Sequence, residues 1–460
     1  MKSTNQVRRL AAAGAALALA VSLAACAPGS DQTDDGAGSP GPTSAEGVNK
    51  DVASMGDLEL ILWDQEVRDS QASQFQQLVD GFLEKYPNVT INRVEQSFDD
   101  LTTTLGLALS DPNPPDIVQA NNSRSDMGAF VGAGQLLSLE PYAEAYGWRD
   151  RFPETVLKNM TYSSDGAEFG SGQLYGLPQA GEIVGVFYNK DKLAALGLSL
   201  PQTWADFEAA LAAAKTAGEV PIMLGNVEGW PAVHVFGPIQ GAYVPANEVN
   251  LLGMGNAGAA WTTAGNLSAA TELADWAAQG YFNEGYAGAD DAQAAEEFAA
   301  GTGVFMIAGS WNGAMLNEAM GAKAGFFAPP PAVAGGPIAT TGGTSLPFAI
   351  TAGSKHPDAA AAFIDYVTSD EAMKILAATG NVPVLGAQDL VPADQPVQAD
   401  IFAAFGQASE NGALLPYLDW ATPTFGGDTL QPGLQDLLAA KTTPSEFLDR
   451  LQADYAGFVG

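Results

Sequence analysis

Two strand-like segments separated by an amphipathic segment limit most strongly how this chain can fold. Residues 58–63 form a mostly aliphatic run read as the first strand, and residues 89–94, in which Val and Ile alternate with polar residues, are read as the second. Between them, apolar side chains recur at helical spacing from Phe75 to Phe82, and the helix is predicted to end before Tyr86 and Pro87. A strand, a helix and a strand in this order predict a parallel crossover. The chain is therefore predicted to have an α/β fold.

Polar residues follow two of the predicted strands directly. The first strand ends at Asp64 and Gln65, and residues 114–118 lead into another strand. The polar residues after that second strand are Gln119, Asn121, Asn122 and Ser123. Ligands bind beyond the carboxyl ends of parallel strands, so these residues are predicted to face a cleft, with a plain turn as the alternative.

Glu182 is an acid inside an extended, mostly apolar run that continues to Tyr188. Burial of an unpartnered carboxylate costs several kcal/mol, so Glu182 must be hydrogen-bonded or solvated. It is predicted either to bind ligand or to form a salt bridge between two structural units. Downstream, Thr203 and Asp206 are placed to cap a helix that follows Pro201.

Tryptophans beside glycine and proline are poorly placed to fill a core. Trp230 stands next to Gly229 and Pro231, and Trp311 follows a predicted strand that ends near Gly309. Both are predicted to contact ligand. His234 is interpreted either as a ligand contact or as a structural histidine. A loop near the C-terminus adds further candidates, namely Asp419, Trp420 and Phe425.

Several short motifs resemble the carbohydrate-binding family of extracellular solute-binding proteins of ABC importers, which includes the maltose-binding protein. The clearest are Tyr-Gly-Leu-Pro at 175–178, Tyr-Asn-Lys at 188–190 and Pro-Gln-Thr-Trp-Ala-Asp-Phe at 201–207. Weaker matches are Pro-Asp-Ile-Val at 115–118, Gly-Ser-Trp at 309–311 and Gly342-Gly343 before a strand. With gaps, the resemblance extends from about residue 57 to the end of the chain.

The resemblance implies a type II periplasmic-binding-protein-like fold, with two α/β lobes, a multi-crossing hinge and a ligand cleft between them. We expect residues 57–181 and 330–379 in lobe 1, and residues 182–329 and 380–460 in lobe 2. The implied function is capture of a sugar or oligosaccharide by hinge closure and delivery to the transmembrane subunits of an ABC permease. We expect a monomer with no catalytic residue, cofactor or metal.

A sugar ring has an apolar face and an edge of hydroxyl groups. Aromatic rings suit the first, whereas carboxylates and amides suit the second. The aromatic candidates are Trp230, Trp311, Trp420 and Phe425. The hydrogen-bonding candidates are Gln65, Asn121, Glu182 and Asp419, and the remaining expected ligand-binding residues are Asp64, Gln119, Asn122, Ser123 and Gly343.

The N-terminus has the pattern of a bacterial lipoprotein signal. Three basic residues precede an apolar run over 10–25, which is short for a membrane span, and Leu-Ala-Ala-Cys at 23–26 matches the lipobox. Cys26 is the only cysteine in the chain, so it cannot form an internal disulfide. We predict a signal peptide over 1–25, lipidation of Cys26, a flexible tether over 26–56 and attachment at the extracellular face of the membrane. An ordinary secretory signal is the alternative.

The charge balance excludes one class of partner and leaves others open. The chain has 53 acidic and 19 basic residues and a formal net charge of −34 at pH 7, which argues against nucleic acid. Two histidines and one cysteine cannot build a typical His/Cys metal site. The alternatives to a sugar receptor are binding of another solute such as a polyamine, a glycan-processing enzyme with a carboxylate pair, and a protein-binding lipoprotein.

Overall fold

The computed structural model describes residues 41–410 and 412–460. The predicted signal peptide, Cys26 and the first part of the predicted tether lie outside these residues. Among the helices of the described chain, none combines the length and apolar character needed to cross a membrane.

The described residues form two main sheets and a small third one. The strands are β1 Leu58–Asp64, β2 Val89–Glu95, β3 Ile117–Gln119, β4 Thr161–Tyr162, β5 Gln173–Leu174, β6 Gly181–Asn189, β7 Ile222–Met223, β8 Phe305–Gly309, β9 Ala324–Phe327, β10 Thr340–Thr344, β11 Phe348–Ile350 and β12 Leu414–Leu415. Helices pack around the sheets, as predicted for an α/β protein.

The α-helices are α1 Asp69–Lys85, α2 Phe98–Leu109, α3 Ala129–Gly132, α4 Glu140–Tyr146, α5 Trp148–Arg151, α6 Glu154–Leu157, α7 Lys190–Ala195, α8 Trp204–Thr216, α9 Trp230–Tyr243, α10 Ala246–Gly253, α11 Ala264–Ala278, α12 Asp291–Ala299, α13 Gly313–Met320, α14 Pro357–Val367, α15 Asp370–Ala378, α16 Pro396–Glu410, α17 Gln431–Leu438 and α18 Pro444–Val459. The Thr203 hydroxyl accepts a hydrogen bond from the Asp206 backbone N–H, and the Asp206 carboxylate accepts one from the Thr203 backbone N–H. This capping box begins α8 where the sequence predicts it.

The first sheet has the strand order β11-β3-β1-β2. Strand β1 is parallel to β2 and to β3, whereas β11 is antiparallel to β3. The helix between β1 and β2 is α1, and its Phe75 and Phe82 are fully buried. The predicted parallel crossover is therefore present, and the carboxyl ends of β1 and β3 lie at one edge of the sheet.

The second sheet has the order β12-β10-β6-β8-β7, and β9 also pairs with β6. Strand β6 is the centre of this sheet, because β8, β9 and β10 all pair with it in the antiparallel sense. Strand β10 lies in the segment 330–379 that the sequence assigns to lobe 1, but it pairs with β6. The chain thus returns to the first sheet after Thr344, and not at residue 330.

Residues 41–56, predicted to be part of a flexible tether, pack against the folded body. Val52 is fully buried, and the Asn88 amide donates hydrogen bonds to the carbonyls of Val52 and Gly56, at 2.9 and 2.8 Å. The Lys50 ammonium donates to the Ala145 carbonyl at 2.9 Å. This segment, which we call the docked strap, belongs to the same folded unit as the first sheet.

Candidate ligand-binding site

A cavity of about 630 Å³, a volume that includes its opening to solvent, lies between walls taken from both main sheets. It is lined by Gln65, Arg68, Gln71, Phe98, Asn121, Glu182, Trp230, His234, Trp311, Leu346, Tyr417, Asp419 and Trp420. Aromatic rings and polar groups therefore meet in one space.

One wall comes from the edge of the first sheet where its parallel strands end. Gln65 follows β1 and Asn121 follows β3, as expected for residues beyond the carboxyl ends of strands. Arg68 precedes α1, Gln71 lies in its first turn and Phe98 begins α2. Two helix starts and two strand ends thus build this wall.

The other wall comes from the second sheet and its helices. Trp230 and His234 are four residues apart on α9, so they share one helix face. Trp311 lies in the turn after β8, where a Cβ atom on Gly309 would come within 2.0 Å of its indole ring. Only glycine at position 309 permits this rotamer of Trp311.

His234 is surrounded by aromatic rings. Its ring centroid lies 5.4 Å from that of Trp230, 5.3 Å from that of Trp311 and 5.3 Å from that of Tyr417. Burial lowers the pKa of His234 to about 3, so the imidazole is neutral at pH 7. It adds a ring and a hydrogen-bonding nitrogen to the wall, and no charge.

Glu182 faces the cavity from the central strand β6. The Tyr417 hydroxyl donates a hydrogen bond to Glu182 Oε2 at 3.2 Å. Burial raises the pKa of Glu182 to about 7, and the nearby Glu66 carboxylate acts in the same direction. No salt bridge to Glu182 occurs among the described residues, so the hinge-salt-bridge interpretation does not describe this structure.

Asp291, at the start of α12, holds two lining residues in place. Its Oδ2 atom accepts a hydrogen bond from the Trp311 indole N–H at 3.2 Å and lies 3.4 Å from Nη2 of Arg68. Arg68 belongs to the wall from the first sheet and Trp311 to the opposite wall. A single carboxylate therefore connects the two walls.

Comparison with known proteins places this arrangement in a family. The model of the bacterial extracellular solute-binding proteins matches residues 68–374, which is more than half of the chain. The chain belongs to this family. The sequence-based recognition is thereby confirmed.

Individual relatives are distant in sequence and close in fold. The solute-binding protein described here is 23% identical over 308 residues to the "Multiple sugar-binding protein" of Streptococcus mutans, with 65% of this chain and 68% of the relative covered. A solved "Chitin oligosaccharide binding protein" has a TM-score of 0.75 and 23% identity, with 88% of this chain and all of the other covered. A "probable secreted solute-binding lipoprotein" from Streptomyces coelicolor has a TM-score of 0.67 and 18% identity, with 88% and 99% covered. The predicted type II two-lobed fold is confirmed.

The structure brings together about half of the residues that the sequence proposes for the site. Those that line the cavity of the solute-binding protein are Gln65, Asn121, Glu182, Trp230, Trp311, Asp419 and Trp420. They come from segments far apart in the chain, and the fold alone makes them neighbours.

Two predicted polar residues lie behind the cavity wall instead of in it. Both carboxylate oxygens of Asp64 accept hydrogen bonds from the Arg93 guanidinium at 2.7 Å. The Gln119 side chain accepts from the Gln65 backbone N–H at 2.8 Å and donates to Glu66 Oε1 at 2.7 Å. The polar groups of Asp64 and Gln119 are thus occupied by protein partners, and Gln119 also holds the Gln65 backbone.

The other predicted site residues that do not line the cavity bind or pack against other residues of the protein. Asn122 is buried and donates to the Asn159 carbonyl, and Ser123 caps the π-helical turn Arg124–Gly128. Phe425 is fully buried and stacks on Trp261, with 5.2 Å between ring centroids. Gly343 pairs in register with Glu182, so it sets the backbone beside that residue without lining the cavity.

Sequence reasoning does not assign Arg68, Gln71, Phe98, Leu346 or Tyr417 to the site, and it leaves His234 undecided. One local signal for His234 is its four-residue spacing from Trp230 on a single helix. Arg68 and Gln71 have a similar signal, since they lie three residues apart near the start of α1. Tyr417 carries no such signal, because only the long-range approach of its loop to β6 brings it to Glu182.

Proposed function

We propose that this protein is a lipid-anchored extracellular subunit of an ABC importer that binds a sugar or oligosaccharide and delivers it to a membrane permease. The observation that carries the proposal is the pairing of aromatic rings with carboxylate and amide groups in one cavity between two sheets. An indole or phenol ring matches the apolar face of a pyranose, and the polar groups match its hydroxyl edge. The sugar-binding relatives support the same choice.

The placement of the cavity favours closure around the ligand. Gln65 and Asn121 extend from the first sheet, whereas Trp230 and Trp311 belong to the second. A ligand that contacts both walls stabilises the closed state by its differential affinity for that state. We propose that the monomer, closed on its ligand, is recognised by the permease and that it catalyses no reaction.

Isothermal titration calorimetry of the mature protein against mono- and oligosaccharides tests the binding step. Saturable binding of a sugar is expected. Binding of spermidine without binding of any sugar would favour the polyamine alternative. Steady hydrolysis of a glycan that is lost on one carboxylate substitution would contradict a receptor role.

Radiolabelled palmitate tests the anchor. We expect Cys26→Ala to release the protein into the medium or leave its signal uncleaved, and to abolish lipid labelling. The substitution Ser30→Ala, outside the lipobox, is the matched control and is expected to be labelled normally. Continued labelling of Cys26→Ala would refute the lipoprotein assignment.

A further inference from the structure

A second opening adjoins the cavity and is strongly acidic. Its volume is about 780 Å³, including open solvent, and it shares Phe98, Asn121, Trp230 and Asp419 with the inner cavity. We call it the acidic mouth, after the carboxylates that line it: Asp99, Asp126, Glu228, Asp419 and Asp428. A ligand long enough to leave the inner cavity passes these groups.

Positive charge is scarce around this route. Among the described residues that line the acidic mouth, none is lysine or arginine. In the inner cavity, the cationic lining residue is Arg68, and Asp291 already pairs with it at 3.4 Å. No described lining residue forms an ion pair with a carboxylate of the acidic mouth, although the charge of Arg68 favours the ionised form of Asp99.

Several buried acceptor atoms along the route lack a partner within the described chain. They are Asp419 Oδ1, Glu228 Oε2 and Gln71 Oε1, and two unpartnered nitrogen atoms, Trp230 Nε1 and His234 Nδ1, accompany them. Gln71 is only 8% exposed and lines the inner cavity, so its carbonyl oxygen is a buried acceptor at the ligand space. By contrast, the Asp126 carboxylate accepts from the Ser123 hydroxyl at 2.7 Å. A donor at these positions would satisfy the unpartnered acceptors.

A protonated amine meets this requirement better than a hydroxyl does. An ammonium group has three donors and no acceptor, whereas each hydroxyl brings acceptor lone pairs that also need partners. Hydrogen bonds from a cation to a carboxylate are about twice as strong as neutral ones. An excess of acceptors therefore selects a donor-rich, cationic group.

Aromatic rings line the passage between the two spaces. The Phe98 and Trp230 ring centroids are 6.4 Å apart, and both residues line the inner cavity and the acidic mouth. The face of an indole attracts a cation at short range. Trp230 consequently offers a surface both to the apolar face of a sugar and to an attached ammonium group.

We infer that the ligand is a sugar carrying a protonated amine, with the amine bound in the acidic mouth, which Asp419, Glu228 and Trp230 line. This inference rests on the proposed sugar-binding function and narrows its substrate class. It disfavours uronic acids, whose carboxylates would face uncompensated negative charge. A single divalent metal ion fits less well, because no three carboxylate, histidine or cysteine side chains of the described chain converge as a metal site.

The protonation of the carboxylates agrees with this inference. Burial raises the pKa of Asp419 to about 6 and also raises the pKa of Glu228. A bound ammonium group favours the ionised carboxylates and lowers both pKa values. Binding of the amine near pH 6 is therefore accompanied by proton release from the protein.

Paired titrations of the full mature protein test the inference. The probes are the disaccharides of glucosamine and of galactosamine, each compared with its N-acetylated form at pH 6, where the amines are protonated. We expect at least one amine form to bind about tenfold or more tightly than its acetylated partner, because hydrogen bonds to charged groups are the stronger class. Its affinity should fall with added salt, and buffers of different ionisation enthalpy should reveal proton release.

The failures of the two proposals are distinguishable in this experiment. Equal or tighter binding of an acetylated form overturns the amine inference and leaves sugar binding intact. If spermidine, titrated alongside, binds and no sugar does, both proposals are overturned. Binding of none of the four disaccharides overturns the amine inference, while the neutral sugar panel tests the wider function separately.

Two substitutions localise the amine. Asp419→Asn and Glu228→Gln are each expected to weaken the amine form about tenfold and to change the acetylated form less than about twofold. Asp449→Asn, exposed on α18, makes the same charge change away from the site and is expected to leave both affinities unchanged. If these partly buried positions do not tolerate substitution, Asp99→Asn at the exposed rim should still reduce the salt dependence of amine binding. Equal losses for both sugar forms would overturn the assignment.

Discussion

Arg68 and Asp291 form an ion pair that joins the two walls of the cavity, with 3.4 Å between Nη2 and Oδ2. Arg68 is about one-third exposed, whereas the Asp291 side chain is 5% exposed. Removal of the cation therefore leaves a buried carboxylate without its charge partner, although Trp311 continues to donate to it.

We expect Arg68→Gln to weaken ligand binding about fivefold, because the closed arrangement loses a contact between its walls. Small-angle scattering of the unliganded variant should show a larger radius of gyration. Lys323→Gln, which removes an exposed ion pair with Asp191, is the control. Unchanged affinity and radius in Arg68→Gln would show that the pair does not bias closure.

The two tryptophans of the cavity wall should contribute directly to ligand affinity. Trp311→Ala and Trp230→Ala should each weaken binding by about 2 kcal/mol, as is usual for a central aromatic contact. Calorimetry measures the change, and Phe458→Ala, an exposed aromatic residue outside the cavity, serves as the control. Wild-type affinity in both tryptophan variants would remove the stacking argument.

Stability should depend on pH through the buried glutamates. Burial raises the pKa values of Glu66 and Glu182 from 4.5 to about 7. At these two sites the folded state binds more protons than the unfolded state between these values, so their contribution to the free energy of unfolding falls as pH rises from about 4.5 to 7, whereas the lowered pKa of His234 acts in the opposite direction. The loss for Glu182 is on the order of 3 kcal/mol.

Urea denaturation of the unliganded protein at pH 5 and pH 8 measures this dependence. Glu182→Gln should lack the stability loss that Glu182 contributes between pH 5 and pH 8, since the amide does not titrate. Glu59→Gln, exposed on β1, should leave the slope as in the wild type. A slope that is the same in Glu182→Gln and the wild type would contradict the assignment.

The docked strap should contribute measurably to stability. A chain that begins at residue 57 loses the buried Val52 side chain and the carbonyls that Asn88 contacts, and we expect a loss of about 2 kcal/mol in the free energy of unfolding. A chain that begins at residue 41 is the control and should match the mature protein. Equal stability of the two truncated chains would show that the docked strap does not stabilise the fold and acts only as a tether.

Local patterns in the sequence predict much of the fold. The crossover over β1, α1 and β2 follows from apolar spacing, and the cap at Thr203 follows from its distance to Asp206. Both depend on residues close together in the chain, so sequence reasoning can find them.

The site is predicted less completely because its contacts are long-range. The Asp64 carboxylate is hydrogen-bonded to Arg93 on the neighbouring strand and does not line the cavity. Phe425 stacks on Trp261 and is buried outside it. Tyr417 reaches the site by a hydrogen bond to Glu182, a residue 235 positions earlier in the sequence. No local pattern indicates which polar or aromatic side chains will bind distant protein residues and so be withheld from the cavity.

The packing of Trp230 and Trp311, with ring centroids 6.0 Å apart in the cavity wall, has a practical consequence. Indole emission responds to the polarity of its surroundings, and both rings border the space that a ligand fills. Intrinsic tryptophan fluorescence should therefore report whether the cavity holds a ligand. A fluorescence titration needs no attached dye, and screening of solutes can begin with the unmodified chain.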